Sequence, residues 1–327
     1  MKGDFMKIIL TQQIPSIATE LLKKAGHSVE VLSKNGPLSH SELEKKVVGA
    51  DAIVSALTDK IDGEIMDSIG KQLKIIANYA VGFDNIDVKE AKKRNIIVTN
   101  TPGVLTESVA EHSVALMFAV AKRIVESDTF VRAGDYKHWM PTGFIGQQLW
   151  GKTIGIVGLG RIGSMLAEIC YHGLRMRVLY NDMKHDERLE MELGAEYHLL
   201  PTLLERADVV SINVPLVPST RHLISAKELR LMKKTAILIN TSRGPVIDEK
   251  SLVSALKEGE IAGAGLDVYE NEPELTPGLA KLANVVLTPH TASATLEART
   301  AMATIVATNV IEALKGNTPP NSVDVQK

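Results

Sequence analysis

Apolar positions along this chain fall into two alternating rhythms. Short runs of consecutive aliphatic residues read as strands buried on both faces. Stretches with apolar residues three or four apart read as helices. Lys7-Ile-Ile-Leu10 is the first run, and a helical pattern at Ile17, Leu21 and Leu22 follows it, with Pro15 in its first turn and Gly26 as its stop. Val29–Leu32, Ala52–Ser55, Lys74–Ala77 and Ile96–Val98 predict further strands, while Ser39 and Glu42 predict a capping box for a helix through Val48. Strands alternating with helices predict a parallel sheet covered on both faces, so this part reads as an α/β domain of its own.

Asn100-Thr-Pro-Gly103 interrupts the alternation, and one long helix is then predicted from about Thr106 to Val131. Val109, Leu116, Val120 and Ile124 lie on one face of it, and Val114, Phe118, Ala121 and Val125 on another. A helix apolar on two faces is buried on two sides, so it is expected to cross between domains or to join a subunit interface. Trp139-Met-Pro-Thr-Gly143 reads either as a connector or as a loop that helps close a site. Alternation then resumes, with strands at Arg177–Asp182, Asp208–Asn213, Ala236–Asn240, Ala264–Asp267 and Val285–Thr288. Ser225 and Glu228 predict a second capping box, and a helix over 250–257 stops at Gly259. The last helix, about Thr295 to Leu314, has no strand after it in its own unit and is expected to return to the first domain.

The alternation has its chemical centre at Thr153-Ile-Gly-Ile-Val-Gly158-Leu-Gly160-Arg161-Ile162-Gly163. A buried strand ends there in a G-x-G-x-x-G turn and passes straight into an amphipathic run. The first glycine permits a tight turn, the second lets backbone approach a pyrophosphate, and the third lets helix pack close to strand. The helix start offers free N–H groups and its dipole to phosphates. A second strand follows, and Asp182 ends it where an acidic residue accepts from the ribose 2′-hydroxyl of NAD. A lone glycine motif is weak, but this strand–turn–helix–strand–acid context points to dinucleotide binding.

Composition narrows the class. At 327 residues the chain is long for one core and suits two domains. A net charge of −2 gives no global bias toward nucleic acid or an acidic membrane surface. The single cysteine, Cys170, has no internal disulfide partner and sits in an apolar helical pattern, which suits a reducing compartment. No apolar run approaches the ~18–20 residues that span a bilayer. The N-terminal Met-Lys-Gly-Asp-Phe-Met6 lacks the apolar stretch of a secretory signal, and Met6 reads as a second candidate start. A cytoplasmic protein without membrane or nucleic-acid partners is expected. No cluster of side chains has convincing metal-ligand spacing.

In a doubly wound sheet, ligands lie outside the carboxyl ends of the strands. Arg243, Asp267, Glu272 and His290 fall at or just past such ends. Arginine can grip a carboxylate and polarise a carbonyl, histidine can hand a proton to a developing alkoxide, and a carboxylate can orient the imidazole. Each has a blander reading: a surface charge for Arg243, a solvated loop acid for Glu272, a capping histidine for His290. His112, His138 and His222 show no comparable partners at strand ends and read as structural.

Gly158-Leu-Gly-Arg-Ile-Gly163, Asn240-Thr-Ser-Arg-Gly-Pro-Val-Ile-Asp248, Gly263-Ala-Gly-Leu-Asp-Val268 with Glu272-Pro273, and Leu287-Thr-Pro-His290 resemble the signatures of the D-isomer-specific 2-hydroxyacid dehydrogenases. Asn78-Tyr-Ala-Val-Gly-Phe-Asp-Asn-Ile-Asp87 and Thr99-Asn-Thr-Pro-Gly103 belong to the resemblance, which spans nearly the whole chain. It implies two doubly wound parallel-sheet domains with a cleft between them. One is a flavodoxin-like substrate domain over 1–100 plus 290–327, and the other a Rossmann-like NAD-binding domain over 101–289. It implies Arg243, Glu272 and His290 as the catalytic set. It implies Val81 and Gly82 as backbone donors to the substrate carboxylate. The cofactor would lie on Gly158, Gly160, Arg161, Ile162, Gly163, Asp182, Asn213, Pro215, Thr241, Asp267 and Thr106. It further implies a homodimer, with Trp139 in a loop that reaches the partner's site in some relatives. The family often has histidine where Asn213 stands, and asparagine keeps a hydrogen-bonding side chain there.

The family includes reductases of glyoxylate and hydroxypyruvate and dehydrogenases of 3-phosphoglycerate, D-lactate and formate. The loop Val54-Ser-Ala-Leu-Thr-Asp-Lys60 has no arginine for a phosphate, which disfavours 3-phosphoglycerate. Glu272 argues against the formate enzymes, which carry glutamine there. The loop and the overall length look most similar to glyoxylate/hydroxypyruvate reductases, so a small 2-keto acid is the expected substrate. D-3-phosphoglycerate and D-lactate dehydrogenases are the alternatives. Asp182 would repel a 2′-phosphate, favouring NAD(H); Lys184 and His185 soften that preference and leave NADP possible. A rival from another class is a dinucleotide-sensing co-repressor, which would bind NADH without consuming it.

Overall fold

A computed structural model describes residues 5–34 and 36–323. The chain divides into two compact units, the described residues of Met1–Leu105 with Ala294–Lys327, and those of Thr106–Ser293. The divisions fall a few residues beyond the expected 100/101 and 289/290. The second shift has a local cause. The Thr291 and Ala292 amides donate to Asp267, and Ser108 Oγ donates to the Ala292 carbonyl, which ties this stretch to the second unit.

The first unit runs β1 (Lys7–Gln12), α1 (Ile17–Lys24), β2 (Ser28–Ser33), α2 (His40–Lys46), β3 (Ala52–Ser55), α3 (Gly63–Ile69), β4 (Ile75–Asn78), α4 (Val88–Lys93) and β5 (Ile97–Thr99). Its five strands are parallel in the order β2-β1-β3-β4-β5, the flavodoxin-like arrangement. Ile8, Ile9 and Leu10 are all buried, so both faces of the sheet are covered, as the unbroken aliphatic run predicts. Each such side chain contributes roughly 1.5–3 kcal/mol of burial. The Ser39 capping box forms as expected, with Glu42 Oε2 accepting from the Ser39 amide at 3.0 Å. The C-terminal helix (Leu296–Leu314) belongs to this unit and packs against α1, β3, β4 and β5.

The second unit opens with α5 (Thr106–Ala121) and α6 (Ile124–Arg132). The single helix expected from Thr106 to Val131 is therefore two. Arg123 takes a left-handed conformation (φ 52°) and starts α6. The Ala121 carbonyl, released from the helix, accepts from the Gln147 amide at 2.7 Å, so a returning segment caps the first helix. The two-sided burial also applies only to α5. No residue of α6 is buried, and Ile124, Val125 and Val131 are each about half exposed.

β6 (Thr153–Val157), α7 (Arg161–Leu174), β7 (Arg177–Asn181), α8 (Glu187–Leu193), β8 (Glu196–Tyr197), α9 (Leu200–Arg206), β9 (Val209–Ile212), α10 (Ala226–Leu231), β10 (Ile237–Asn240), α11 (Glu249–Glu258), β11 (Gly263–Leu266) and β12 (Val285–Leu287) complete the unit. The C-terminal helix follows in chain order as α12. The seven strands are all parallel, in the order β12-β11-β10-β9-β6-β7-β8. The order reverses between β6 and β9, which is the topological switch point of a Rossmann sheet. Cys170 is buried on α7, and burial pushes its thiol up to about 12, so it serves as a core side chain. No helix among the described residues is long and apolar enough to cross a membrane.

Candidate active site

β6 and β9 bring the glycine turn to the switch point. Gly158 takes φ +94°, and a Cβ there would lie 2.8 Å from the Asn213 backbone that leaves β9. A Cβ on Gly163 would stand 2.2 Å from the Gly158 carbonyl, so α7 can start this close to the turn only with glycine. Gly160 differs: a Cβ there would meet nothing within 4 Å. The protein thus leaves open space at the second glycine, beside the first turn of α7, where Arg161 and Ile162 begin the helix. Asn213 spends its amide nitrogen on Ser211, while its Oδ1 is buried and without a hydrogen-bond partner. Pro215 follows in the same loop, where its carbonyl accepts from Thr220 Oγ1 at 2.6 Å. Asp182, just past β7, accepts from the Leu159 amide of the glycine turn at 2.6 Å. An open cradle at a helix start, an orphaned acceptor and an anchored carboxylate fit a dinucleotide.

The expected acid–base residues gather at the ends of β10, β11 and β12. His290 follows β12 with φ 55°, a left-handed conformation costly for a histidine, and is held by its amide on the Asp267 carbonyl at 2.9 Å. Its Nδ1 lies 2.9 Å from Glu272 Oε2. The other oxygen, Glu272 Oε1, accepts from the Tyr269 amide at 3.0 Å, which fixes the carboxylate on its loop. Arg243 follows β10, where Asn240 Nδ2 donates to its carbonyl at 3.0 Å and its own Nη1 donates to the Ser242 carbonyl at 2.8 Å. A Cβ on the adjacent Gly244 would stand 1.9 Å from the Tyr269 carbonyl group. The arginine loop and the glutamate loop therefore touch backbone to backbone. Asp267 is fully buried and accepts from Thr288 Oγ1 at 2.6 Å and from the Thr291 and Ala292 amides at 2.8 Å each. Burial alone would raise its carboxyl; the bonds from His112, Thr288, Thr291 and Ala292 outweigh it and hold the group below the usual carboxylate range.

Such an arrangement can hold an anion, hand over a proton and keep the ring that hands it over in one orientation. A sequence model described as "D-isomer specific 2-hydroxyacid dehydrogenase, NAD binding domain" matches residues 114–292. The glyoxylate reductase of Thermococcus litoralis is 50% identical over 322 residues, covering 97% of this chain and 96% of that protein. The chain belongs to the D-isomer-specific 2-hydroxyacid dehydrogenases. Among solved structures, the TT0316 protein of Thermus thermophilus superposes with a TM-score of 0.91 at 42% identity, covering 98% of this chain and all of that one. An NADPH-dependent glyoxylate/hydroxypyruvate reductase from Sinorhizobium meliloti, solved with NADP and malonate, gives a TM-score of 0.83 at 31% identity, covering 97% and 96%. This dehydrogenase is accordingly an NAD(P)-dependent oxidoreductase.

The dehydrogenase structure corrects the expectation that His112 and His222 lack partners at strand ends: His222 Nε2 lies 2.6 Å from Glu270 Oε1, just past β11. His112, expected to be structural, points from α5 at the Asp267–Thr288 pair, with Nε2 3.0 Å from Thr288 Oγ1 and 3.5 Å from Asp267 Oδ1. Thr241 Oγ1 pairs with Ser113 Oγ at 2.9 Å, and Thr106 is buried at the first position of α5, so this helix meets the strand ends along one edge. Trp139 does not join the group within its own unit; it is 75% exposed in the segment between α6 and β6. Val81 and Gly82 follow β4 in the first unit, both half-buried. Among the described residues one set of metal-type ligands comes together, His40, Asp62 and Glu64. Asp62 is already engaged there by the Ile65 amide, His40 and Lys60, and reads as the cap of α3.

Proposed function

We propose that the protein reduces glyoxylate, and hydroxypyruvate as a second small 2-keto acid, with NADH as the preferred reductant. The observation that carries this is the His290–Glu272 pair at 2.9 Å on loops locked to the arginine loop. The near full-length similarity to glyoxylate reductases supports the substrate class. Gly158, Gly160, Arg161, Ile162 and Gly163 would receive the pyrophosphate, Asp182 the adenosine ribose, and Thr106, Asn213, Pro215, Thr241 and Asp267 the nicotinamide half. The bound reduced nicotinamide supplies the hydride. Arg243 is assigned to grip the substrate carboxylate, and the Val81 and Gly82 N–H groups are assigned as further donors to that carboxylate. His290 gives its proton to the oxygen that becomes the hydroxyl, and Glu272 accepts from Nδ1 so that Nε2 faces the substrate. Lys60, the cation of the loop after β3, pairs with Asp62 at 3.3 Å, which supports an unphosphorylated substrate. The anionic Asp182 supports NADH over NADPH.

The working form is a homodimer in the cytoplasm. Support comes from the half-exposed Ile124, Val125 and Val131 of α6, from the exposed Ile145 and Trp139, and from a groove of about 1230 Å³ along α6 that contains none of the acid–base residues. NADH loss followed with glyoxylate, hydroxypyruvate, pyruvate and 3-phosphohydroxypyruvate in turn, then with NADPH, tests the chemistry. Light scattering tests the dimer. Tight NADH binding with no consumption by any of the four acids would instead make the protein a dinucleotide sensor.

A further inference from the structure

The turn that follows β4 is held by its carbonyls. Ala80 O accepts from the Thr101 amide at 2.9 Å, Val81 O from Asn100 Nδ2 at 2.7 Å, and Gly82 O from Asn78 Nδ2 at 2.8 Å. All of these partners belong to the first unit. Three consecutive carbonyls are therefore each tied to a neighbouring segment. A trans peptide points its N–H opposite to its C=O. Anchoring the Ala80 carbonyl aims the Val81 N–H away from its anchor, and anchoring the Val81 carbonyl does the same for the Gly82 N–H. Among the described residues neither N–H donates to a protein acceptor. Unpaired neighbouring N–H groups are costly unless a ligand or water takes them.

The anchors are themselves braced. Asn78 is fully buried, and its Oδ1 accepts from Ser55 Oγ at 3.0 Å while its Nδ2 also reaches Asn85 Oδ1 at 3.0 Å. Asn85 Nδ2 donates to the Ala56 and Asp59 carbonyls at 3.1 and 3.0 Å. The buried Asp59 closes the same loop by accepting from the Ala56 amide at 2.7 Å and from the Thr11 hydroxyl. The loop after β3 and the turn after β4 are thus one hydrogen-bonded body.

We propose that Asn100 and Asn78 are positioning residues for this reaction: together with the Thr101 amide on the Ala80 carbonyl, they hold the turn so that the Val81 and Gly82 N–H groups form a preformed two-donor seat for the substrate carboxylate. The proposal rests on the keto-acid reading above. Asn100 sets the Gly82 N–H directly. Asn78 fixes the far side of the turn and, through Asn85, its register with the Ala56–Asp59 loop. Preformed donors need no reorganisation when the anion arrives.

Asn100→Asp tests this. A carboxylate facing the Val81 carbonyl has no proton to give, so the peptide loses its anchor and turns. The KM for glyoxylate is expected to rise about ten-fold or more, equivalent to ~1.4 kcal/mol, while kcat and the NADH dissociation constant stay within a factor of about two. Lowering the pH restores a donor at the new side chain, so the variant-to-wild-type KM ratio falls as pH falls. Asn100→Ala shows the KM rise without the pH rescue, and it carries the test where the aspartate variant does not fold. An unchanged KM in a folded variant, or a matching loss of NADH affinity, would overturn the proposal. Wild-type protein is run beside these with glyoxylate and with neutral glyoxal. No preference for glyoxylate there takes down the keto-acid reading, and the proposal with it. A clear preference with an unmoved variant KM overturns the proposal alone.

Discussion

Replacing Glu272 with glutamine isolates what the carboxylate does for His290. Its Oε1 accepts from the Tyr269 amide at 3.0 Å and its Oε2 faces His290 Nδ1 at 2.9 Å. In Glu272→Gln the amide oxygen must serve Tyr269, because that N–H needs an acceptor. The amide NH2 then faces Nδ1, a donor where an acceptor stood. His290 is forced to keep a lone pair on Nδ1 and cannot carry the second proton that proton donation from Nε2 requires. A hydrogen bond to a charged group contributes about 1.5–3 kcal/mol. At ~1.36 kcal/mol per factor of ten, its loss slows kcat for glyoxylate by about 10- to 150-fold. The KM for glyoxylate and the NADH dissociation constant should change little, since Glu272 is assigned no contact with either. Stopped-flow loss of NADH absorbance at saturating glyoxylate measures the effect, with His290→Gln as the reference at about 10²–10⁴-fold. A Glu272→Gln turnover within two-fold of wild type would refute the reasoning, as would a loss expressed only in KM.

Gly160→Ala should leave stability unchanged, because a Cβ there meets no protein atom within 4 Å, yet weaken NADH binding about ten-fold or more (~1.4 kcal/mol) in a fluorescence titration. Gly163→Ala places a Cβ 2.2 Å from the Gly158 carbonyl and should lower both the melting temperature and NADH affinity. Asp267→Asn should cost about 1.5–3 kcal/mol in chemical denaturation, since an amide cannot serve all the donors now on the carboxylate. The wild-type carboxyl is held below its ordinary value, so its stabilisation is full above about pH 4 and is lost as pH falls through the folded value; in the variant this acid-side loss should shrink. Asp182→Ala should raise the NADPH-to-NADH ratio of kcat/KM by about ten-fold, the effect of ~1.4 kcal/mol; an unchanged ratio would remove Asp182 from cofactor choice.

Local chemistry is readable wherever the partners lie close in sequence. Ser39 with Glu42 and Ser225 with Glu228 are three residues apart, and both sets of capping bonds form. The aliphatic runs mark the strands because both sheets are covered on both faces. α3 and α4 leave no such mark because seven and six residues are too few for a period, though Asp62 and Asp87 cap them. The break at Arg123 has no glycine or proline to announce it. Its visible partner is the Gln147 amide, which arrives from far along the chain to take the Ala121 carbonyl. His112 is opaque for the same reason. Nothing near it in sequence shows that its imidazole meets Thr288 and Asp267. The motifs name the residues of the site, and three-dimensional closure decides which of them touch.

The C-terminal helix that completes the first unit has a consequence for biosynthesis. The strands of that unit leave the ribosome before the second unit, but the α12 surface that covers α1, β3, β4 and β5 is translated only after the entire second unit. At ~5–20 residues per second, the interval between β5 and the end of α12 is roughly 10–40 s. During that time an aliphatic sheet stands with part of one face bare while a contiguous Rossmann unit is free to fold. The nascent chain is thus expected to recruit holdase chaperones to the β1–β5 segment and release them only once α12 has emerged. Ribosome profiling of chaperone-bound nascent chains would read that window directly, and early release would show that the sheet shields itself another way.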